Sequence, residues 1–263
     1  MTTKTIARAG SGLLPALMAA ALLCVSTASV RAAEIRLLSA AAMQSVLKDI
    51  AGDFERRFGH RLIITYATMG AITQRMQGGE SADLVIGSTP SISTLVKDGR
   101  IRPDSPVTIC KVGVGAVVAS GTPKPEVASV EGLLRALLAA KVVVYANPSG
   151  GGAAGIHVAR VIEKLGLAEQ LQPKTKFGAG GDVTEVTLSL GAGALGITQV
   201  SEIVGKPGAD FAGPLPALLQ NYTGVTLGIP TNADRSEAVT AFIRFLNSPI
   251  AIAAIEAKGM EPY

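Results

Sequence analysis

Tryptophan is absent from this chain, histidine and cysteine occur twice each, and aromatic residues make up only 4% of the whole. His60 and His157 lie far apart and no cysteine stands near either, so no metal set with ligand spacing can be assembled. HExxH, the Walker loop and the GxSxG elbow are missing too, which removes the commonest linear signs of metalloprotease, nucleotide and serine-hydrolase chemistry. No charge sign dominates. Of the 24 basic residues Lys4, Arg8 and Arg31 fall in the first 32 positions, which hold no acid; without them 21 basic residues face 20 acidic ones, a net +1. A near-neutral chain without a basic cluster excludes nucleic acid or an anionic membrane surface as the expected partner.

No apolar run reaches the ~20 residues that a membrane-spanning helix needs. The run Leu13–Val25 is shorter, follows Lys4 and Arg8, and precedes Val30-Arg31-Ala32. That order reads as an export signal over residues 1–32, cleaved near Ala32, and places the mature chain in the periplasm. The twin-arginine pattern is missing, so export of the unfolded chain is expected. Leu23 is large where a small residue would precede a lipidated Cys24. Cys110 is then the only cysteine left and no intramolecular disulfide can form. It sits in an apolar stretch, which fits a buried small hydrophobe better than a reactive thiol.

What the chain does have is a repeated strand, small-residue turn and helix. Ile35–Leu38 is a short strand, and the helix after Ser39 and the alanines carries Val46, Ile50, Phe54 and Phe58 on one stripe. Strand 61–66 runs through Ala67-Thr68-Met69-Gly70 into a helix over 71–77, with His60 in a surface turn before it. Strand 82–86 runs through Gly87-Ser88-Thr89-Pro90 into another. Such units predict a parallel sheet with right-handed crossovers and a ligand beyond the carboxyl ends of its strands. Val112–Ser120 is a strand interrupted by Gly113 and Gly115, a place for passage into a second αβ layer. That layer holds a leucine-rich helix, strand 142–145, the glycine-rich Ser149–Gly155, a helix ending at Gly166, strand 175–177, helix 183–190 and strand 194–199. Strand 222–229 leads back, and two helices close the chain, the last with Ser248 as N-cap and Pro249 at N1. The expected fold is α/β with two lobes joined by two crossing strands. Residues 33–112 and 222–263 form the first lobe and residues 113–221 the second.

Helix starts leave backbone N–H groups unpaired and carry the positive end of the helix dipole, so both favour an anion. Ser149-Gly150-Gly151-Gly152-Ala153-Ala154-Gly155 contains GxGxxG, but Glu169 does not fall on a second strand as the ribose acid of a dinucleotide fold would. The segment is either an anion-binding helix start or a loop without a ligand. His157 is either a proton carrier at the cleft or a first-turn helix residue packed against that loop. Ser39, Thr68, Ser88, Ser149, Gln199 and Ser201 supply uncharged hydrogen-bonding groups near the expected mouth, though each also suits turn or cap duty. Asp83 and Asp182 are the acids placed near strand or helix ends, Asp83 with a structural role.

The segments IRLLSAAAMQSVLKDIAGDFE, YATMGAITQRMQGGESADLVIGS, ALGITQVSEI and FIRFLNSPIAIAAIEAKGMEP resemble the periplasmic molybdate-binding proteins, the type II solute-binding components of ABC importers. The resemblance implies a type II periplasmic-binding-protein fold, a ligand held between the lobes, a permease partner in the inner membrane, a monomer and no cofactor. The family's two oxyanion serines and its later tyrosine correspond here to Ala42, Gly70 and Gln199, while backbone N–H groups at Ala154 and Val183 match. Each lost hydroxyl removes a bond to a charged partner, roughly 1.5–3 kcal/mol, so a small carboxylate is expected rather than a tetrahedral metal oxyanion. The expected ligand shell is Ser39, Ala40, Thr68, Met69, Gly70, Ser88, Ser149, Gly150, Gly151, Ala154, Val183 and Gln199. The expected function is anion capture for an importer. The alternative is an aconitate isomerase, which resembles the same binding proteins, with His157 moving the proton between trans- and cis-aconitate.

Overall fold

A computed structural model describes residues 1–3 and 32–263, so nearly all of the expected export signal, Cys24 included, lies outside the described residues. Strand β1 (Glu34–Ala40) passes through a 3₁₀ turn (Ala41–Met43) into helix α1 (Gln44–Phe58). β2 (Arg61–Ala67) leads into α2 (Met69–Gln77), and β3 (Leu84–Ser88) into α3 (Thr89–Lys97). β1 lies between β2 and β3 and is parallel to both, as three consecutive strand–helix units require. After β4 (Val107–Val112) the chain leaves this sheet at Gly113 and enters β5 (Val114–Ala119) of a second one.

The second sheet grows through α4 (Val130–Ala139), β6 (Val142–Ala146), α5 (Ala153–Lys164) and the short α6 (Ala168–Leu171). β7 (Thr175–Gly178), α7 (Val183–Leu190), β8 (Ala194–Gln199) and β9 (Ala209–Pro214) complete it. The chain then returns as β10 (Thr223–Gly228), inserted antiparallel between β3 and β4, and ends in α8 (Glu237–Phe245), α9 (Pro249–Ala257) and β11 (Glu261–Pro262). Strand orders are β11-β4-β10-β3-β1-β2 and β7-β6-β8-β5-β9, with two crossings between the sheets.

The first core is built around α1. Val46, Ile50 and Phe54 are buried, and Phe54 meets Phe242 edge-on at 5.0 Å and Phe245 at 5.5 Å, which pins α8 to α1. Aromatic pairs in this geometry add roughly 0.5–1.5 kcal/mol beyond their buried area. Phe58, the last residue of the stripe, is 37% exposed and covers the edge of that cluster. The second core joins Val114, Leu133, Leu137, Val143, Val158 and Ile197. Val200, Val204 and Phe211, which follow β8, pack into the first core instead, so the second sheet is tied back at that point. The last helix starts as read: Ser248 accepts from the N–H of Ala251 with Pro249 behind it.

Several expectations need correction. His60 is buried, and its Nδ1 accepts the N–H of Ala33 at 3.3 Å, because the chain before β1 folds over the turn. β1 runs on to Ala40, so Ser39 is a fully buried strand residue whose hydroxyl donates to the carbonyl of Ala40. Gly115 does not interrupt its strand; it pairs on both sides, and a Cβ there would come within 2.5 Å of the Phe211 ring. β4, β9 and β11 had no clear sequence signal.

Candidate functional site

Strand ends and helix starts from both sheets enclose a cleft of ≈ 50 Å³. That exceeds the ~10–15 Å³ minimum for a single water, so the cleft is open to a small ligand. The first sheet contributes Ala40–Ala42, Ala67–Met69, Gly87, Ser88, Thr223 and Val225; the second contributes Ala146, Gly152–Gly155, Gly180, Gly181, Thr198, Gln199 and Glu202. Most of these are alanine or glycine, which lets a ligand reach the main chain. No lysine or arginine is among them.

The donors are therefore backbone amides. Gly152, the N-cap of α5, has no side chain to cap it, so the first N–H groups, those of Ala153, Ala154 and Gly155, have no intrahelical partner and stand at the cleft wall. The 3₁₀ turn at Ala41 is likewise uncapped on the opposite wall. Thr68 and Ser88 line the cleft while capping their own helices, through the N–H of Ala71 at 3.3 Å and of Ser91 at 3.4 Å. Thr223 Oγ1 is the one buried side-chain oxygen or nitrogen among the described residues without a hydrogen-bond partner. A buried hydroxyl left so needs an explanation, and a ligand oxygen in the cleft would supply the missing partner.

The loops of the two sheets meet in van der Waals contact at the rim of the cleft. A Cβ on Gly70 would lie 2.6 Å from the carbonyl oxygen of Gly150, and one on Gly151, whose φ is +70°, would lie 2.7 Å from the Gly70 Cα. Two further bonds hold the walls together: Ser201 Oγ donates to the Ala42 carbonyl and Ser45 Oγ to the Ser201 carbonyl, both at 2.8 Å.

Of the expected ligand shell, Ala40, Thr68, Met69, Ser88, Ala154 and Gln199 line the cleft. Gly70, Gly150 and Gly151 form the contact between its lips. Ser149 is exposed and bonded to Asn147, Val183 is fully buried at the start of α7, and Ser39 lies beneath the wall. His157 points elsewhere: its Nε2 bonds the Leu219 carbonyl at 2.7 Å.

Among the cleft residues that escaped the sequence reading, Thr223 and Glu202 carry the chemistry. Glu202 follows β8 in a 3₁₀ turn and lines both the cleft and a second cavity of ≈ 190 Å³ with Lys48, Asp49, Lys206 and Lys258. As a residue it keeps partial exposure. Burial nonetheless pushes its carboxyl from 4.5 up to about 7, against the downward pull of the Thr198 hydroxyl, which donates to Oε2 at 2.5 Å, and of Lys206. Its place four residues after Thr198 was the available signal, though acids just past a strand usually face solvent.

The profile of the bacterial extracellular solute-binding proteins matches residues 35–261. The chain belongs to that family. It is 28% identical to an aconitate isomerase from Pseudomonas sp over 258 residues, 95% of this chain and 97% of that protein. It is also 28% identical to the molybdate-binding protein ModA of Azotobacter vinelandii over 254 residues, 95% and 96% of the two chains. The solved periplasmic molybdate-binding protein of Azotobacter vinelandii superimposes with a TM-score of 0.69 at 21% identity, covering 86% of this chain and 98% of that one. The fold is the two-lobed type II periplasmic-binding-protein fold, in agreement with the family expectation.

Proposed function

We propose that this solute-binding protein captures a small anion, a carboxylate by preference, between its lobes and delivers it to an ABC importer permease in the inner membrane. The observation that carries the reading is the set of uncapped amides at the start of α5 facing the uncapped Ala41 turn across a cleft without lysine or arginine. Neutral donors hold an anion yet let it go when the lobes part, which a buried ion pair would resist. In this reading the lobes are residues 33–112 with 222–263 and residues 113–221, hinged at the two crossings. The chain works as a periplasmic monomer after cleavage near Ala32, without a cofactor. Departures at Ala42 and Gly70 from the family's hydroxyls support a carboxylate over molybdate.

A thermal-shift screen of the mature chain against molybdate, sulfate and di- and tricarboxylates tests this. A ligand at 100 times its Kd adds about 2.7 kcal/mol, so the true ligand class raises Tm clearly, and no stabilisation by any member refutes the reading.

The similarity to an aconitate isomerase keeps a second reading in play, in which a proton is moved along a bound tricarboxylate. His157, bonded to Leu219 away from the cleft, is poorly placed for that step, and Glu202 is the titratable group that lines the site. Incubation with trans-aconitate and detection of the cis isomer decides between capture and turnover, with the Glu202→Gln variant as control.

A further inference from the structure

We infer that Glu202 makes anion binding proton-linked: above neutral pH the cleft closes on its ligand only as one proton is taken up by this carboxyl. The inference deepens the anion-capture reading and depends on it. Glu202 is the only acidic or basic side chain among the described cleft-lining residues, and it is of the same sign as the ligand. Two negative charges enclosed in one small, poorly solvated space repel strongly, and no basic side chain lines that space to offset them. The remedy is a proton. Oε2 already accepts from Thr198, which leaves Oε1 to take the proton, and the carboxylic acid becomes a hydrogen-bond donor instead of an opposing charge.

The surroundings favour the exchange. Glu202 also borders the second cavity, so its carboxyl has a charged, polar space beside it that is separate from the cleft. The charges felt by its carboxyl are Lys206 on its own segment and Asp182 and Glu185 from the α7 side; Lys48, Asp49 and Lys258 line the second cavity with it. Lys206 is bonded to Glu185, so its charge is shared rather than directed at Glu202 alone. Burial already holds the carboxyl's ionisation near neutrality before any anion arrives.

The test uses the mature chain with molybdate and with propane-1,2,3-tricarboxylate, which has no double bond for an isomerase to move. Calorimetry at pH 8 in Tris and in Hepes, whose ionisation enthalpies differ, counts protons exchanged per ligand bound. Uptake close to one proton, with affinity falling about tenfold from pH 8 to pH 9, supports the inference, provided that Glu202→Gln binds with no uptake and no such slope. Binding without proton uptake, or equal uptake by the variant, overturns it while leaving anion capture intact. Failure of both probes to bind counts against the cleft reading itself. Carbon-13 NMR titration of the glutamate carboxyls in the ligand-free protein then reads Glu202 directly. Ionisation alongside the exposed glutamates overturns the inference whether or not either probe binds.

Discussion

Replacing Glu202 by glutamine removes a titration that should be visible in the stability of the ligand-free protein. Burial raises this carboxyl from 4.5 to about 7 in the folded state, so between those values the native chain holds a proton that the unfolded chain has released. Stability from this group is complete below pH 4.5, declines as the pH rises through 7, and is gone above it. At about 1.36 kcal/mol per unit, the full decline is roughly 3 kcal/mol, an upper value because Glu202 keeps partial exposure. Glutamine is neutral throughout and its amide oxygen can still accept from Thr198. Urea unfolding of both proteins at pH 5, 6, 7 and 8 gives the difference directly, since every other titrating group is common to the pair. The two should be similar in acid, with Glu202→Gln the more stable by up to about 3 kcal/mol at pH 8. A difference that stays flat over this range, or grows toward acid, refutes the account of a desolvated carboxyl.

Gly70→Ala places a methyl 2.6 Å from the Gly150 carbonyl oxygen, so the lips of the cleft cannot meet. The helix itself should gain slightly, by about 0.5–1 kcal/mol; Tm therefore holds while anion-induced stabilisation falls at least tenfold in apparent affinity, checked by thermal shift with and without ligand. Thr223→Val removes the unpartnered buried hydroxyl and leaves its shape. Unfolding experiments should find the ligand-free variant as stable as the parent or about 1 kcal/mol more so, and calorimetry should find the anion bound more weakly. Phe54→Ala empties the centre of the α1–α8 aromatic cluster and should cost about 3–5 kcal/mol by urea denaturation, with no change in ligand preference if the protein still folds.

The fold was legible because its signals are local and repeated. Val46, Ile50 and Phe54 recur at helical spacing, Ser248-Pro249 starts a helix in the expected way, and three strand–turn–helix units in succession leave little choice but a parallel sheet. The elements that were missed lack such local marks. β9 is half-buried and polar at one end, and β11 is two residues long; each exists because a neighbouring strand offers an open edge. His60 was misplaced for a related reason, since what buries it is the chain at Ala33, 27 residues away.

The site divides along the same line. Helix starts can be read from alanine and glycine runs, and residues such as Ala40, Thr68, Ser88 and Ala154 do line the cleft. Thr223 and Glu202 could not be found that way. Thr223 reaches the cleft because β10 returns between β3 and β4, and Glu202 because the chain after β8 is drawn back to the first core by Val200 and Val204. Those two residues are also the ones whose chemistry is unsettled in the ligand-free protein, one an unpartnered hydroxyl and the other a carboxyl far from its ordinary range. Backbone amides at helix starts accept any small anion alike, so they give affinity without much choice. In the anion-capture reading, selection among anions would fall to the side chains that tertiary contacts deliver: Thr223 would favour a ligand with an oxygen at its position, and Glu202 one that can share a proton. A ligand series that varies charge at constant size should therefore separate wild type from Glu202→Gln, whereas a series that varies size at constant charge should not.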